Sequence, residues 1–596
     1  MQPGNYYNQR LEELNTELRS MLKRKSLLAW LRFAAIISMI SIGYLLFPAG
    51  LIYIIISTAL LLILFVRLVF KDLDNKKAIE HYNYLIAVNK AELNALQHDY
   101  FQFADGTEFI PKEHLYANDL DIFGHASLYQ YVNRTSSEMG SSTLASWLLQ
   151  PSDRKTILQR QEATMELSTA NGWRQKLQAL GAEKKIQHKT KQRLQNWFEE
   201  ENRFINHKYW SVIRFLIPII LVTVIVLNSS GIITAPVRNY FLLASALMAF
   251  FISKKVTPLH LQVSKIADEL EVLRDSIELI EQKEFKSPFL SNLQKQFGQE
   301  GEQASAKINA LKKILDRLDL RFNIVVFIPL DILLQWDLQQ TLALEKWKKK
   351  NHDNVIQWFK ALGEFEAINS LSTICFNHPE WCFPVLKEQH FFMEGTEVGH
   401  PLIPAGKRVN NPIKIQDSGE LMLVTGSNMA GKSTYLRSIG INTILAMAGA
   451  PVCAAYFCLS PVQIVSSMRI ADNLEESTST FYAELKKLKI IIGKVNSNEN
   501  VFILLDEILR GTNSFDRHTG SVALVKQLIK HQAAGIIATH DVELAELKKD
   551  HPSGILNYHF DVQVNNEELY FDYKLKEGIC NSLNASILMK KIGIEL

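Results

Sequence analysis

Two uncharged apolar runs, Phe33 to Phe47 and Leu51 to Val66, lie early in the chain with only Pro48-Ala49-Gly50 between them. Each is near the short end for a membrane span, and so tight a connection predicts a helical hairpin. A cleaved signal peptide has a different layout: here about thirty mostly polar residues precede the first run, and a second run follows it. Phe215 to Ile233 and Tyr240 to Ile252 form a second candidate hairpin around Ala235-Pro236. Pro218 and the Asn228-Ser229-Ser230 cluster weaken its first arm, and its second arm is short. For this pair a buried helical core stands beside the membrane reading. Charge favours the membrane. Lys23, Arg24, Lys25 and Arg32 precede the first hairpin, and Arg67 and Lys71 follow it. Lys208 and Arg214 precede the second, Lys254 and Lys255 follow it, and the turns carry only Arg238. The positive-inside rule puts both termini and every large segment on the cytoplasmic side of an inner or plasma membrane.

The segments around these runs read as helices. Asp74 to Gln97 has helical periodicity and mixed charge, and Pro258 to Phe297 and Ala304 to Leu320 alternate apolar and charged residues at three and four. Such long amphipathic helices suit an extended arm or an ordinary bundle. Ile324 to Leu334 is apolar, but it contains Pro329 and Asp331 and is too short to span; the expectation is a buried helix. Later the pattern changes. Leu421 to Thr425, Val501 to Leu505 and Ile536 to Ala538 are short continuous apolar runs that suit buried parallel strands.

The chain of 596 residues has room for several domains. Its 65 basic and 62 acidic residues nearly cancel. That balance argues neither for nor against contact with nucleic acid, because local patches outweigh totals. Cys375, Cys382, Cys453, Cys458 and Cys580 show no metal spacing and read as reduced thiols of a cytosolic region.

Candidate chemistry clusters after the strands. Gly426-Ser427-Asn428-Met429-Ala430-Gly431-Lys432-Ser433 has the G-x-x-x-x-G-K-S spacing of a phosphate-binding loop. The strand before it and a helix predicted from Thr434 to Met447 after it supply the required setting. Glycines let backbone N–H groups close on phosphate oxygens, and the helix N-terminus adds positive potential. Lys432 could reach the β- and γ-phosphates and Ser433 could ligate Mg²⁺. The second strand ends in Asp506-Glu507, one carboxylate to hold the ion and one to polarise the attacking water. The third ends in Thr539-His540, and His540 could contact the γ-phosphate. Asp472-Asn473-Leu474 and then Ser479-Thr480-Phe481-Tyr482-Ala483-Glu484 make a serine-rich loop opening a helix, which is either an anion site or an ordinary N-cap at Ser479.

Together these residues resemble the MutS family of DNA mismatch-repair ATPases. T-G-S-N-M-A-G-K-S-T at 425–434 is similar to the family's T-G-x-N-M-x-G-K-S-T, S-T-F-x-x-E at 479–484 to its signature loop, and Thr539-His540 to its T-H switch. D-E-I-L-R-G-T at 506–512 resembles D-E-x-G-R-G-T, with Leu509 where the family usually has glycine. Gly399-His400-Pro401 and Asn411-Pro412 resemble elements that precede the loop. Asn133-Arg134-Thr135, Gly140, Trp147-Leu148, Pro151 and Arg160-Gln161 resemble the start of the family's lever domain, and Leu362-Gly363-Glu364-Phe365-Glu366-Ala367 the helix that ends it.

The resemblance implies the class α + α/β. An N-terminal helix and first hairpin would occupy 1–72, a helical lever domain with the second hairpin 73–385, and a doubly wound ABC-type ATPase 386–596. It implies ATP and Mg²⁺ as ligands. Nucleotide would bind at Gly426, Ser427, Asn428, Met429, Ala430, Gly431, Lys432, Ser433 and Thr434, and at Ser479 of the second chain in a homodimer. The metal would sit at Ser433 and Asp506, with Glu507 and His540 catalytic. The implied partner is DNA, mismatched or branched, beside the lipid bilayer.

Four departures qualify this. Nothing before residue 115 resembles the mismatch-reading domain with its Phe-x-Glu wedge, which favours branched or distorted DNA over a single mispair. Arg408 falls where the family stacks an aromatic ring on adenine. The chain ends at Leu596, so the C-terminal extension that supports family dimers is expected to be short or absent. The apolar hairpins are foreign to ordinary members. Two other classes therefore stay open: a mechanical or scaffold ATPase tethered to the membrane, and a transporter-associated ATPase. The latter fits less well, because two short hairpins make a poor path and the Leu-Ser-Gly-Gly-Gln signature is absent.

Overall fold

A computed structural model describes residues 2–298, 301–427, 429–468, 480–497, 499–565 and 568–580. The first half is helical. Helices α1 (Pro3–Leu45) and α2 (Leu51–Leu96) form an antiparallel pair, turned by a 3₁₀ segment at Phe47–Ala49 and by Gly50 at φ 110°. Glycine suits this corner because a Cβ disfavours that backbone conformation. Each apolar run continues without a break into polar helix, so the helix expected from Asp74 to Gln97 is the far half of α2.

Five shorter helices follow: α3 (Leu128–Val132), α4 (Glu138–Leu149), α5 (Arg154–Ser168), α6 (Asn171–Glu183) and α7 (His188–Glu199). Ser127, Ser137 and Asp153 cap α3, α4 and α5, each accepting a backbone N–H of the first turn. Helices α8 (Lys208–Ser229) and α9 (Ala235–Val263) form the second hairpin. Here α9 runs through Lys254, Lys255 and Pro258, where sequence suggested a new element. The actual break is a 3₁₀ turn at Ser264–Ile266, followed by α10 (Ala267–Glu281) and α11 (Pro288–Lys295). Then come α12 (Ala304–Leu318), α13 (Ile324–Leu334) and α14 (Trp336–Asn377).

The expectation for Ile324–Leu334 is corrected. Only Asp331 of α13 is buried, and Val325 is 83% exposed. Apolar composition says that water is excluded from a helix, not what excludes it. Four other helical segments (α1, α2, α8, and α9 with the turn after it) are long and apolar enough to cross a membrane, by length and composition, among the described residues.

The two stretches that read as the start and end of one helical domain meet in space. The buried Glu366 carboxylate on α14 accepts from the Ser136 hydroxyl (2.8 Å), the Ser137 N–H (2.9 Å) and the Ser137 hydroxyl (2.7 Å). Arg134 pairs with Glu92 of α2, and the Asn377 amide donates to the same Glu92 at 2.8 Å. The Tyr7 hydroxyl of α1 donates to Asn377 Oδ1 at 2.8 Å. Buried polar groups this fully paired fix a single arrangement of α1, α2, α4 and α14. Asn133 belongs to the same knot and is buried, its Oδ1 accepting from Thr135.

The second half is mixed α/β. A four-stranded sheet has the order β1-β5-β2-β3, from β1 (Val385–Leu386), β2 (Met393–Val398), β3 (Asn411–Ile415) and β5 (Tyr456–Leu459). A six-stranded sheet has the order β12-β9-β4-β8-β7-β6. Its strands are β4 (Leu421–Thr425), β6 (Gln463–Ser467), β7 (Val501–Asp506), β8 (Ala534–Thr539), β9 (Ile555–Phe560) and β12 (Leu575–Glu577). All pair in parallel except β12, which is antiparallel to β9. A small antiparallel ribbon joins β10 (Gln563–Asn565) to β11 (Glu568–Tyr570). Every residue of β4, β7 and β8 is buried, as expected for strands covered on both faces. Helices α15 (Lys432–Ala448), α16 (Thr480–Asn496) and α17 (Ser514–Lys530) complete this half. Its contact with the helical half is close: a Cβ at Gly440 on α15 would lie 2.8 Å from Leu120, and one at Gly449 2.5 Å from Arg160.

Candidate functional site

The order β4-β8-β7 brings the carboxyl ends of three strands side by side, with Thr425 in register with Thr539 and Asp506 with Ala538. In open parallel sheets ligands bind at such an edge. The chain leaves β4 through Gly426, whose φ is 151° and whose missing Cβ would sit 2.9 Å from the Phe560 carbonyl oxygen. It enters α15 through Gly431 at φ 103°, where a Cβ would sit 3.1 Å from the Tyr573 ring. Space and conformation both select glycine here.

Lys432 is buried at the first turn of α15. Its ammonium donates to the carbonyl oxygens of Gly426 (2.8 Å) and Ser427 (2.9 Å), and burial draws its pKa down. Asp506 is buried at the end of β7. Burial pushes its carboxyl up, the nearby Ser433 hydroxyl opposes that shift, and its Oδ1 has no hydrogen-bond partner among the described residues. Glu507 follows in a left-handed conformation, φ 50°, pinned to β8 by its N–H donating to the Ala538 carbonyl at 2.9 Å. Its Oε2 lies 3.1 Å from Arg510 Nε and 3.9 Å from His540 Nδ1. Glu507 and His540, about thirty residues apart on two strands, thus share one electrostatic cluster.

The loop after Glu507 has its own support. Leu509 has φ 58°, which explains why glycine is the residue expected there. Its N–H donates to the buried carboxylate of Glu484, one turn into α16. A Cβ at Gly511 would lie 2.6 Å from Phe481. Phe481 and Glu484 therefore clamp this loop. Ser479, Asn428 and Asp472-Asn473-Leu474 lie outside the described residues.

A cavity of about 380 Å³ opens over the loop. Met429, Ala430, Gly431, Lys432, Ser433 and Thr434 line one side with Glu507. His400, Ile403, Lys407, Val409 and Asn411 line the other, with Tyr573. His400 is neutral at pH 7: burial, then the charges of Arg437 and Arg408, lower its pKa to about 4. Asn411 donates to the Tyr573 carbonyl at 2.9 Å and accepts from the Leu575 N–H at 2.8 Å, so it holds the Tyr573 segment against the loop. Arg408 does not line the cavity; its Nε donates to Asn410 Oδ1 at 3.2 Å and its side chain passes over Gly399. Tyr435, Phe560 and Tyr573 bring aromatic rings to this cavity, and Tyr573 lies some 140 residues after the loop, where no spacing rule marks it.

The family profile described as MutS domain V matches residues 422–590, the stretch that contains the glycine loop, Asp506, Glu507, His540 and Tyr573. DNA mismatch repair protein MutS of Thermotoga petrophila is 25% identical over 503 residues, 78% of this chain and 61% of that protein. DNA mismatch repair protein MutS of Aquifex pyrophilus is 33% identical over 250 residues, covering 41% and 28%. Human MutS protein homolog 4 is 33% identical over 204 residues, covering 33% and 22%. Residues 422–590 thus match MutS domain V, and the chain is similar to MutS proteins. It spans less than two thirds of each of these relatives. The Thermotoga match is long enough to reach well beyond domain V, into the helical half of the chain.

Proposed function

We propose that this protein is an ATP hydrolase that works as a homodimer on distorted or branched DNA at the cytoplasmic face of a membrane. The observation that carries the ATPase reading is the buried Asp506, with a carboxylate oxygen unpaired among the described residues, next to Ser433 and Lys432 and followed by the Glu507–His540 pair. An orphaned buried carboxylate oxygen costs stability unless a cation or donor completes it. Hydroxyl and carboxylate oxygens are the hard donors that Mg²⁺ takes. The residues therefore fit the ion, which when bound would neutralise phosphate charge.

The chain's own groups supply the rest. Lys432 is held on two carbonyl oxygens of its own loop and would exchange them for phosphate oxygens. The loop N–H groups and the α15 N-terminus would hold the phosphate chain. Tyr573 and the neutral His400 offer ring faces to a base. Glu507 would orient and deprotonate the attacking water. His540, at 3.9 Å from it, would report whether the γ-phosphate is present. Ser479 of a second chain would close the site, which makes the dimer the active unit. The four apolar helices support placement in a bilayer, since leaving such surface in water is unfavourable by about 25 cal/mol per Å².

A steady-state ATPase assay with linear, mismatched and branched duplexes tests the DNA reading. Stimulation by branched or mismatched DNA that fades steeply with salt supports it. Turnover indifferent to every DNA, with Glu507→Ala still inactive, leaves the exposed apolar hairpins as the guide and favours a mechanical or scaffold ATPase at the membrane.

A further inference from the structure

Among the described residues, helix α13 is the one short apolar helix beside the second hairpin. It packs on both α8 and α9. Its sequence, Ile-Val-Val-Phe-Ile-Pro-Leu-Asp-Ile-Leu-Leu, is apolar on every side, and its single charged residue, Asp331, is turned inward and buried. Ile324, Val325, Val326 and Ile328 are exposed, as is Phe322 just before the helix. Three consecutive exposed residues at about 100° each cover more than half the helix circumference. An all-round apolar helix belongs in a core or in lipid, and this one is not in the core.

Several of the backbone groups at its ends are paired within the protein. The Asn323 side chain caps the Val326 N–H. At the other end the Gln335 N–H donates to the Asp331 carbonyl (2.9 Å), the Ser245 hydroxyl to the Ile332 carbonyl (2.6 Å) and the Gln339 amide to the Leu334 carbonyl (2.7 Å). Helix-end carbonyls ordinarily turn to solvent, and in a bilayer each must find a partner inside the protein. Ser245 lies within the apolar stretch of α9, and Gln335 also donates to it at 2.9 Å. Arg321, before α13, donates to the Ser253 hydroxyl (2.8 Å) and the Thr257 hydroxyl (2.6 Å), on either side of Lys254 and Lys255. The segment is thus tied to α9 both at its basic end and within its apolar stretch.

We propose that α13 is a third lipid-contacting element, lying in the cytoplasmic leaflet against the second hairpin without crossing the bilayer. Eleven residues make a helix of about 16 Å, roughly half of a hydrocarbon core of about 30 Å. The occupant is acyl chain rather than a second copy of the chain. The exposed residues cover more than half of the helix and continue into the apolar surface of α8 and α9, where Phe250 and Phe251 are also exposed. The inference rests on the membrane reading of the second hairpin.

The test is spin labelling of the full chain in vesicles of phosphatidylethanolamine and phosphatidylglycerol. The half-buried Cys375 and Cys382 are first replaced by alanine. Nitroxides are placed singly at Val325→Cys, at Ile219→Cys on α8, and at Lys189→Cys as a control outside the apolar segments. Collision with lipid-soluble oxygen is compared with collision with a water-soluble nickel chelate. Oxygen favoured several-fold at both 325 and 219 supports the proposal. Chelate favoured at 325 with oxygen favoured at 219 overturns it and leaves the hairpin standing. Low access to both reagents at 325 overturns it in favour of a protein cover. Chelate favoured at 219 overturns the membrane reading of the hairpin itself, and with it the proposal.

Discussion

At the carboxyl ends of β4, β7 and β8, Lys432 and Asp506 are buried, one leaning on its own loop and the other with an oxygen unpaired. At the tips of the two hairpins the reverse holds: Phe47, Leu51, Ile52, Ile232 and Tyr240 face outward. The first region violates the rule that buried polar groups are paired, the second the rule that large apolar surfaces are covered. On the function proposed above, both violations mark a surface completed by something other than this chain. Polar deficits call for a charged ligand and apolar excess for an apolar phase. The two regions should therefore respond to different substitutions, and independently.

The largest expected effect is at the polar end. Glu507→Ala should lower the ATPase turnover number about 10²–10⁴-fold, the usual worth of a positioned base, while nucleotide binding measured by calorimetry stays near wild type. Unchanged turnover would remove Glu507 from the chemistry. Lys432→Ala should weaken nucleotide binding by roughly ten- to a hundredfold, from loss of one charge-assisted contact of about 1.5–3 kcal/mol. Neither change should alter the fraction of protein that sediments with membranes, and if either does, the two regions are not independent.

At the apolar end, Leu62→Arg places a cation in the most apolar part of α2, at about 2.5–3.5 kcal/mol on insertion scales. Membrane retention should drop in fractionation, while turnover in detergent is unchanged. An unaltered distribution would mean that this face meets water or protein. The smallest effect concerns His518, whose Nδ1 lies 2.7 Å from Asp541, just after His540, and whose pKa is raised mainly by that hydrogen bond. A raised folded-state pKa adds stability that is full below the unfolded value of about 6.5 and fades as pH rises through the higher folded value. His518→Gln should thus lower the melting temperature slightly at pH 6 and not at pH 9. A gap that widens with pH would contradict the pairing.

The site was legible where chemistry is local in sequence. The loop from Gly426 to Ser433, the carboxylates at 506–507 and His540 each sit at a strand end, and a strand of continuous apolar residues fixes where it ends. Tyr573 was not legible, because its place beside Gly431 comes from Asn411 holding two backbone groups far away in the chain. The role of Glu484 as a clamp on Leu509 was hidden for the same reason. In the helical half, periodicity located the helices but not their continuity: α2 and α9 run on where composition changes from apolar to charged, because a helix interior needs only backbone bonding to persist. For α13 composition predicted a buried helix, and the structure instead leaves it exposed on the flank of α8 and α9.

The meeting of Tyr7, Asn377, Glu92 and Arg134 has a mechanical consequence. The 43 residues of α1, at 1.5 Å each, make a rod of about 65 Å whose foot is fixed in that knot and whose far end is the first hairpin. The 42 residues of α14 form a second rod of similar length, from the same knot to Trp336 beside α13. A rigid beam converts rotation at its pivot into displacement in proportion to its length. A tilt of about five degrees at the knot would carry either distal tip by about 5–6 Å, roughly one helical turn. The pivot lies against the α/β half, so small angular changes there are magnified at the hairpins, and lateral forces on the hairpins return to the pivot as torque.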